Sequence, residues 1–139
     1  DLGQSQFTVL GPVGDYADEL NDWSVGIRLT DGNHSFVMCG DAETEAEEDM
    51  ARSGLNLSAD VLKSGHHGSR TSSSPEFLEA VSPSWAVISC GKGNSYGHPH
   101  KETLKKYAEH RIQVLRTDEK GTIIASSSPE GLTWTYTKK

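Results

Sequence analysis

The sequence contains few cysteines, few aromatic residues and no long apolar run. Its 139 residues include two cysteines, Cys39 and Cys90, without a CxxC spacing, so neither a disulfide framework nor a zinc knuckle is predicted. The longest apolar stretches have about four residues, which is far too short to cross a membrane. The chain has no internal repeat, no initiator Met and no basic segment followed by an apolar run. We therefore expect a soluble piece of a longer protein, without a signal peptide.

The composition is that of one folded domain, which we place over residues 1–139. Apolar residues make up 34% and charged residues 24% of the chain, which excludes a fully disordered protein. The net charge is −7, but residues 1–62 carry thirteen acidic and two basic residues, whereas residues 63–116 carry eight basic and four acidic residues. The middle of the chain is therefore the part that would face an anion, although ordinary solvated surface explains the same charges.

The hydrophobic pattern predicts an α/β domain with a mixed sheet and flanking helices. A hairpin turn is predicted at Asp31-Gly32, and Pro75 behind Ser74 is typical of a helix start. The short apolar segment 84–90 suggests a strand buried on both faces. The strands are predicted at residues 6–10, 24–29, 35–39, 60–63, 84–90, 112–116, 122–125 and 132–136, and the helices at 44–53, 75–81 and 99–110.

Three loops that follow predicted strands contain side chains able to bind a metal or a substrate. They are Cys39-Gly40-Asp41, the segment from Lys63 to Ser69 with His66-His67 between glycines, and the segment 94–100 with His98 and His100. Ligand sites in α/β sheets gather at the carboxyl ends of strands, so the three loops are expected to converge. Carboxylate and imidazole groups together are ligands for Zn²⁺, Mn²⁺ or Fe²⁺.

Each loop also has a structural explanation. Asp41 before a helix would be an ordinary N-cap, and His100 would be a residue of the first helical turn. His66 and His67 would be a backbone cap and a solvated side chain. We expect His34 and His110 to be structural, both cysteines to lie in the core, and the acidic run 43–49 to be a solvated helix start.

Several segments, in this order, resemble the metallo-β-lactamase-like domain of bacterial DNA-internalisation competence proteins of the ComEC type. The HHGS and GHPH loops are the most specific, and the matching segments extend over most of the chain. They are Asn21–Val25, Gly40–Glu43, Asp60–Ser69, Ala86–Gly91, Tyr96–His100 and Arg116–Asp118.

The resemblance implies an αββα sandwich with a site for two divalent cations, Zn²⁺ or Mn²⁺, and a hydrolytic activity. In competence proteins this activity is taken to be a nuclease that degrades one DNA strand during uptake. Asp41 is then the carboxylate that bridges the metals. One of His66 and His67 is a metal ligand, with His67 favoured, while the other contacts the substrate phosphate. Ser69, His98 and His100 are implied to lie on the substrate side of the site.

Four basic residues flank the loops and are expected to hold a phosphate backbone: Lys63, Arg70, Lys92 and Lys101. The family's HxHxDH-like motif does not occur in this sequence, so the chain resembles the C-terminal half of the sandwich. Its expected partners are DNA, the N-terminal half of the same domain, the membrane channel part of the parent protein and, through an uncovered sheet, a second copy. The parent would be a membrane-anchored bacterial protein, with the side of the membrane left open.

Two other functions fit the same sequence. The fold would also serve a hydrolase of a small phosphoester, such as a phosphocholine ester, or of a lactam or thioester. Alternatively, the chain would be a folding or interaction module that binds little metal and docks onto the absent half, since a catalytic zinc needs at least three protein ligands.

Overall fold

A computed structural model describes residues 3–138 as a six-stranded sheet, its helices and a separate hairpin. The strands of the sheet are β1 Ser5–Gly11, β2 Gly26–Asp31, β3 His34–Met38, β4 Val61–Lys63, β5 Trp85–Ile88 and β6 Gln113–Arg116. The helices are α1 Thr44–Arg52, α2 Pro75–Val81, α3 Lys101–Glu109 and the single turn α4 Thr117–Lys120. Strands β7 Ile123–Ser128 and β8 Gly131–Tyr136 form the hairpin, and short 3-10 turns occur at Leu20–Trp23 and Gly65–Gly68.

The sheet is mixed, with strand order β1-β2-β3-β4-β5-β6. Strands β1, β2 and β3 pair antiparallel, whereas β3 to β6 pair parallel to one another. The parallel strands therefore end at the same edge of the sheet. The loops that follow β3, β4 and β5 begin at that edge, and these are the three loops that contain the candidate site residues.

One face of the sheet is covered by helices α1 to α3. Val37, Leu62 and Ala86 lie opposite one another on β3, β4 and β5 and are fully buried. They belong to the same core cluster as Met50 of α1 and Tyr107 of α3, together with apolar residues of α2. Burying these side chains supplies the main free energy that holds the helices on the sheet.

The opposite face is covered only in part. The hairpin packs there through Trp134, whose ring centroid lies 5.2 Å from that of Trp85. Towards β1 the face remains open, and both Phe7 and Val9 are exposed. One row of apolar residues across this face follows from the strand register: Phe7, Leu29, Phe36, Val61 and Trp85.

The predicted α/β class, the mixed sheet and the flanking helices are confirmed. The helix predicted from residue 99 begins at Lys101, because His100 is still extended and its amide donates to the carbonyl of Gly68 (3.0 Å). The strand predicted over 84–90 ends at Ile88 and is not buried on both faces, since Trp85 and Val87 are partly exposed. The turn α4 and both 3-10 turns were not predicted. Among residues 3–138, no helix has the length and apolar character required to span a bilayer.

Candidate active site

The loops after β3, β4 and β5 enclose a cavity of about 380 Å³ at the carboxyl edge of the sheet. This arrangement was predicted from the order of strands and loops. The residues that line the cavity are Asp41, His66, His67, Cys90, Gly91, Asn94, Tyr96 and His98. Four of the five predicted histidine and carboxylate site residues, Asp41, His66, His67 and His98, thus share one cavity.

The two adjacent histidines adopt an unusual backbone conformation. His66 has φ of 43° and His67 has φ of 54°, both in the left-handed region that side chains other than glycine rarely adopt. Such conformations persist when the surrounding structure holds them, and they cluster at functional sites. Here the amide of His66 donates to the carbonyl of Gly40 (3.1 Å), which ties this turn to the loop that carries Asp41.

The imidazole of His67 is oriented by a backbone carbonyl. Its Nδ1 donates to the oxygen of Ser89 (2.8 Å), so Nδ1 carries the proton and Nε2 keeps its lone pair in the neutral ring. Nε2 lies 3.6 Å from Oδ1 of Asp41, which is too long for a hydrogen bond. In the neutral ring, Nε2 and the Asp41 oxygen are therefore two acceptor atoms that face each other.

Asp41 is not the N-cap that one interpretation of the sequence predicted. The N-cap of α1 is Glu43, which makes no side-chain cap hydrogen bond. Asp41 is held instead through its own amide, which donates to the hydroxyl of Ser24 (3.1 Å). This leaves the Asp41 carboxylate at the cavity, where it faces His67.

The pair of Asp41 and His67 fits two ligands of a divalent cation. Two atoms that bind one zinc ion at about 2.0–2.1 Å in a tetrahedral site lie roughly 3.3 Å apart, close to the observed separation. The proton on Nδ1 of His67 and its carbonyl acceptor are the outer-shell arrangement typical of metal-binding histidines. Within residues 3–138, however, no group of three or more potential ligands has the geometry to hold a metal ion. The residues therefore fit part of a metal centre.

His66 is oriented by a carboxylate rather than by the backbone. Its Nδ1 lies 3.0 Å from Oε1 of Glu43, and the hydroxyl of Thr71 donates to the same oxygen (3.0 Å). The amide group of Asn21 also reaches Oε1 at 3.3 Å. Because an ionised carboxylate only accepts, Nδ1 of His66 carries a proton and Nε2 is left for contacts within the cavity. The two histidines are thus fixed by different partners.

The histidines of the GHPH loop differ in their surroundings. The ring of His98 lines the cavity between those of His66 and Tyr96, with centroid distances of 5.7 Å to each. Burial, followed by the neighbouring histidines, lowers the pKa of His98 and favours its neutral form. His100 lies outside the cavity lining, and both its ring nitrogens are engaged: Nδ1 accepts from the amide of Arg70 (3.0 Å) and Nε2 donates to the carbonyl of Tyr96 (3.2 Å).

The other predicted substrate-side residues also lie outside the cavity lining. Ser69 is buried, and its hydroxyl hydrogen-bonds to that of Thr71 (2.9 Å). Lys63 is partly buried, which lowers the pKa of its ammonium group, and it donates to the carbonyl of Ser64 (2.8 Å). Arg70 is exposed and lies 3.9 Å from Glu102. Of these three, Arg70 is the one exposed to solvent.

A buried carboxylate lies close to Gly65, where the histidine turn begins. Glu47 is almost fully buried and accepts from the amides of Ser73 (2.7 Å) and Ser74 (2.6 Å). Burial raises the pKa of Glu47 to about 7, although both amides and Lys106 oppose the shift. The hydroxyl of Ser73 continues the network through Tyr107 to Ser64, at the start of the histidine turn. A buried hydrogen-bond network thus connects Glu47 to Ser64, the residue directly before the histidine turn.

Sequence reasoning missed three residues of the site. Glu43 was interpreted as part of a solvated acidic run, but it lies two residues after Asp41 and orients His66. Tyr96 was noted in the YGHPH segment without a role. Cys90 was expected in the core, where Cys39 is indeed buried, but it is partly exposed and lines the cavity. His34 and His110 hydrogen-bond to Ser127 and to the carbonyl of Lys106, as expected of structural histidines.

The chain is thus an α/β protein whose carboxyl-edge cavity holds a carboxylate–imidazole pair. The proteins that it is similar to include three named for competence and recombination. It is 42% identical over 118 residues to ComE operon protein 3 of Bacillus subtilis, a match covering 85% of this chain. It is 42% identical over 104 residues to competence protein ComA of Neisseria gonorrhoeae, covering 74% of this chain. Recombination protein 2 of Haemophilus influenzae is 34% identical over 117 residues, covering 84% of this chain. In each case the match covers 15% of the relative's length. No family model matches the chain.

Proposed function

We propose that this chain is part of a metal-dependent phosphodiesterase domain that cleaves DNA during competence-associated DNA uptake. The observation that carries the proposal is the pair formed by Asp41 and His67, whose acceptor atoms face each other at 3.6 Å inside the cavity. The names of the matched relatives support the biological setting. The proposed fold of the complete domain is the metallo-β-lactamase-like αββα sandwich.

In this proposal, Asp41 and His67 hold divalent cations, Zn²⁺ or Mn²⁺, together with ligands from the N-terminal half of the sandwich. A bound cation of this kind lowers the pKa of a coordinated water and stabilises negative charge on phosphoryl oxygens. The carbonyl of Ser89 keeps Nε2 of His67 unprotonated in the neutral ring. This chain alone is proposed to be inactive, because it supplies fewer than the three protein ligands that a catalytic zinc needs.

His66 and the basic residues are proposed to act on the substrate. The carboxylate of Glu43 fixes the proton of His66 on Nδ1, so Nε2 accepts a proton or a hydrogen bond from the substrate side. Arg70 is exposed outside the cavity lining, and its guanidinium is suited to a phosphate of the DNA backbone. Lys63 contributes positive charge close to Asp41, while its ammonium group also donates to the carbonyl of Ser64.

The proposal is tested on the longer domain that contains this chain. Replacing Asp41 by Ala is expected to abolish both metal binding and cleavage of a fluorescent oligonucleotide, while His110→Ala, outside the cavity, is expected to retain both. Metal-dependent cleavage that persists in the Asp41 variant would contradict the proposed site. Parallel assays with a chromogenic phosphodiester separate a nuclease from a hydrolase of small phosphoesters: a preference for the small substrate would exclude DNA as the main target.

A non-catalytic half-domain is the second candidate, and the open sheet face around Phe7 and Val9 favours it. In that case the chain docks onto its N-terminal half and contributes stability rather than ligands. Metal binding by the complete domain that is unaffected by replacement of both Asp41 and His67 would support this function over the first.

A further inference from the structure

A large aromatic side chain stands at the mouth of the cavity. Tyr96 is 77% exposed, yet it belongs to the cavity lining together with Asp41 and His67. A tyrosine ring exposed to water does not gain the stabilisation that aromatic side chains usually obtain by burying their apolar area. An exposed ring at the edge of a ligand cavity is the arrangement found where a protein stacks on a flat ligand.

The loop that carries Tyr96 is held in place on both sides. The side chain of Asn94 donates to the carbonyls of Gly91 (2.9 Å) and His98 (2.6 Å) and accepts from the amide of His98 (3.0 Å). The carbonyl of Tyr96 itself accepts from Nε2 of His100 (3.2 Å). Because the backbone is fixed before any ligand arrives, little conformational freedom is lost when the ring makes a contact.

The ring of Tyr96 continues a row of stacked rings that leads to the carboxylate–imidazole pair. Tyr96 and His98 have centroids 5.7 Å apart and planes inclined by 21°. His98 and His67 have centroids 6.3 Å apart and planes inclined by 17°. The row therefore has His67, which faces Asp41, at its inner end and the exposed phenol at its outer end.

We propose that Tyr96 stacks on the nucleobase of the nucleotide that adjoins the phosphodiester group in the cavity. This inference rests on the proposed function, because the phosphodiester has to lie near Asp41 and His67 for the neighbouring base to reach Tyr96. The phenol is uncharged and therefore does not attract a phosphate group electrostatically. Its flat face can instead stack on the flat ring of any base. The contact is consequently expected to tolerate any base.

The test measures the affinity of this chain for two fluorescent single-stranded oligodeoxynucleotides by anisotropy in the presence of Mn²⁺. One is a thymidine 12-mer, and the other has the same backbone with abasic positions. The wild-type chain is expected to bind the normal strand more tightly. The Tyr96→Ala variant is expected to lose this preference, with a roughly 5- to 150-fold rise in Kd for the normal strand. Tyr96→Phe keeps the ring and is expected to retain the preference.

Two controls identify the contact as stacking at this position. Tyr136→Ala removes an exposed ring on β8 that does not belong to the cavity lining, and should leave both affinities unchanged. Tyr96→Leu keeps an apolar side chain without a ring and should behave like the Ala variant. A Leu variant that binds like the wild type would overturn stacking.

The outcomes also separate this inference from the proposed function. Equal affinity of the wild type for both strands, unchanged in Tyr96→Ala, would overturn base stacking while leaving DNA as the substrate. Absence of binding to either strand would overturn base stacking by this chain, whereas the proposed function would be contradicted only by the cleavage assay on the longer domain. A preference for the normal strand that Tyr96→Ala abolishes would support stacking, even if later assays of the longer domain detect no cleavage.

Discussion

Two histidines in left-handed backbone conformations determine which ring nitrogens face the cavity. His67 is held by the carbonyl of Ser89 and His66 by the carboxylate of Glu43. In both rings Nδ1 is engaged in this hydrogen bond, so Nε2 is the nitrogen left for contacts with a metal or a substrate. In many active sites a hydrogen bond to one ring nitrogen likewise fixes the tautomer of the histidine that takes part in the chemistry.

Glu43 is predicted to be a positioning residue for His66. In the wild-type chain, nitrogen NMR of the imidazole should show the proton of neutral His66 on Nδ1. In Glu43→Gln the amide can donate as well as accept, so a mixture of tautomers is expected at His66. His34, whose partner is Ser127, serves as an internal reference that should not change. An unchanged tautomer at His66 in the variant would show that Glu43 does not set it.

Glu47 is predicted to make stability depend on pH. Burial raises its pKa from 4.5 to about 7, so the stabilising contribution of the protonated carboxyl is complete below about pH 4.5 and is lost as the pH rises through about 7. In Glu47→Gln this loss is absent. Relative to the wild type, the free energy of unfolding of the variant should therefore increase by roughly 2–3 kcal/mol between pH 5 and pH 8.

Urea denaturation at a series of pH values measures this difference. Glu45→Gln, an exposed position on the same helix, is the control and should follow the wild type at every pH. A constant difference between the Glu47 variant and the wild type across this range would contradict the raised pKa.

At the scale of elements, the HHGS and GHPH loops are held together by a close approach at Gly68. A Cβ added there would lie 2.7 Å from Cβ of Pro99, and φ is +83°. Gly68→Ala is thus expected to separate the loops and to lower the free energy of unfolding by more than about 1 kcal/mol. Gly91→Ala, in the same cavity lining but with open space at its Cβ position, should have a much smaller effect. Chemical denaturation of both variants compares them, and similar losses would contradict this explanation.

The convergence of the three loops could be predicted from the sequence because parallel strands end at one edge of a sheet. The partners of individual side chains could not, since they depend on contacts between distant segments. His100 accepts from the amide of Arg70, and the carbonyl of Ser69 accepts from the hydroxyl of Thr103 (2.8 Å). Both residues belong to segments that resemble a family site, yet their described contacts are structural. The predicted start of α3 was wrong for the same reason, because the Gly68 carbonyl holds His100 outside the helix.

At the scale of the whole molecule, the sheet has one covered face and one that is open near β1. Apolar side chains exposed on a sheet favour association with another surface. If the N-terminal half of a sandwich covers this face, adding that half at a concentration well above its Kd should raise the thermal midpoint by roughly 10 °C.

Phe7→Lys tests whether this face is the one that is covered. It should reduce the rise in the thermal midpoint, whereas Leu20→Lys, at an exposed position in the Leu20–Trp23 turn, should not. Sedimentation velocity of the chain alone addresses self-association, which the same Phe7 variant should reduce. A thermal midpoint that does not change when the N-terminal half is added would contradict the docking model.

The most direct test of the account is calorimetric titration of this chain with Mn²⁺ and with Zn²⁺. The wild type is expected to bind more weakly than a complete site with three or more protein ligands would, and His67→Ala and Asp41→Asn are expected to weaken this binding at least about tenfold. His110→Ala, whose ring contacts the carbonyl of Lys106, is the matched control and should bind like the wild type. Metal binding that survives in both site variants would contradict the claim that Asp41 and His67 form part of a metal centre.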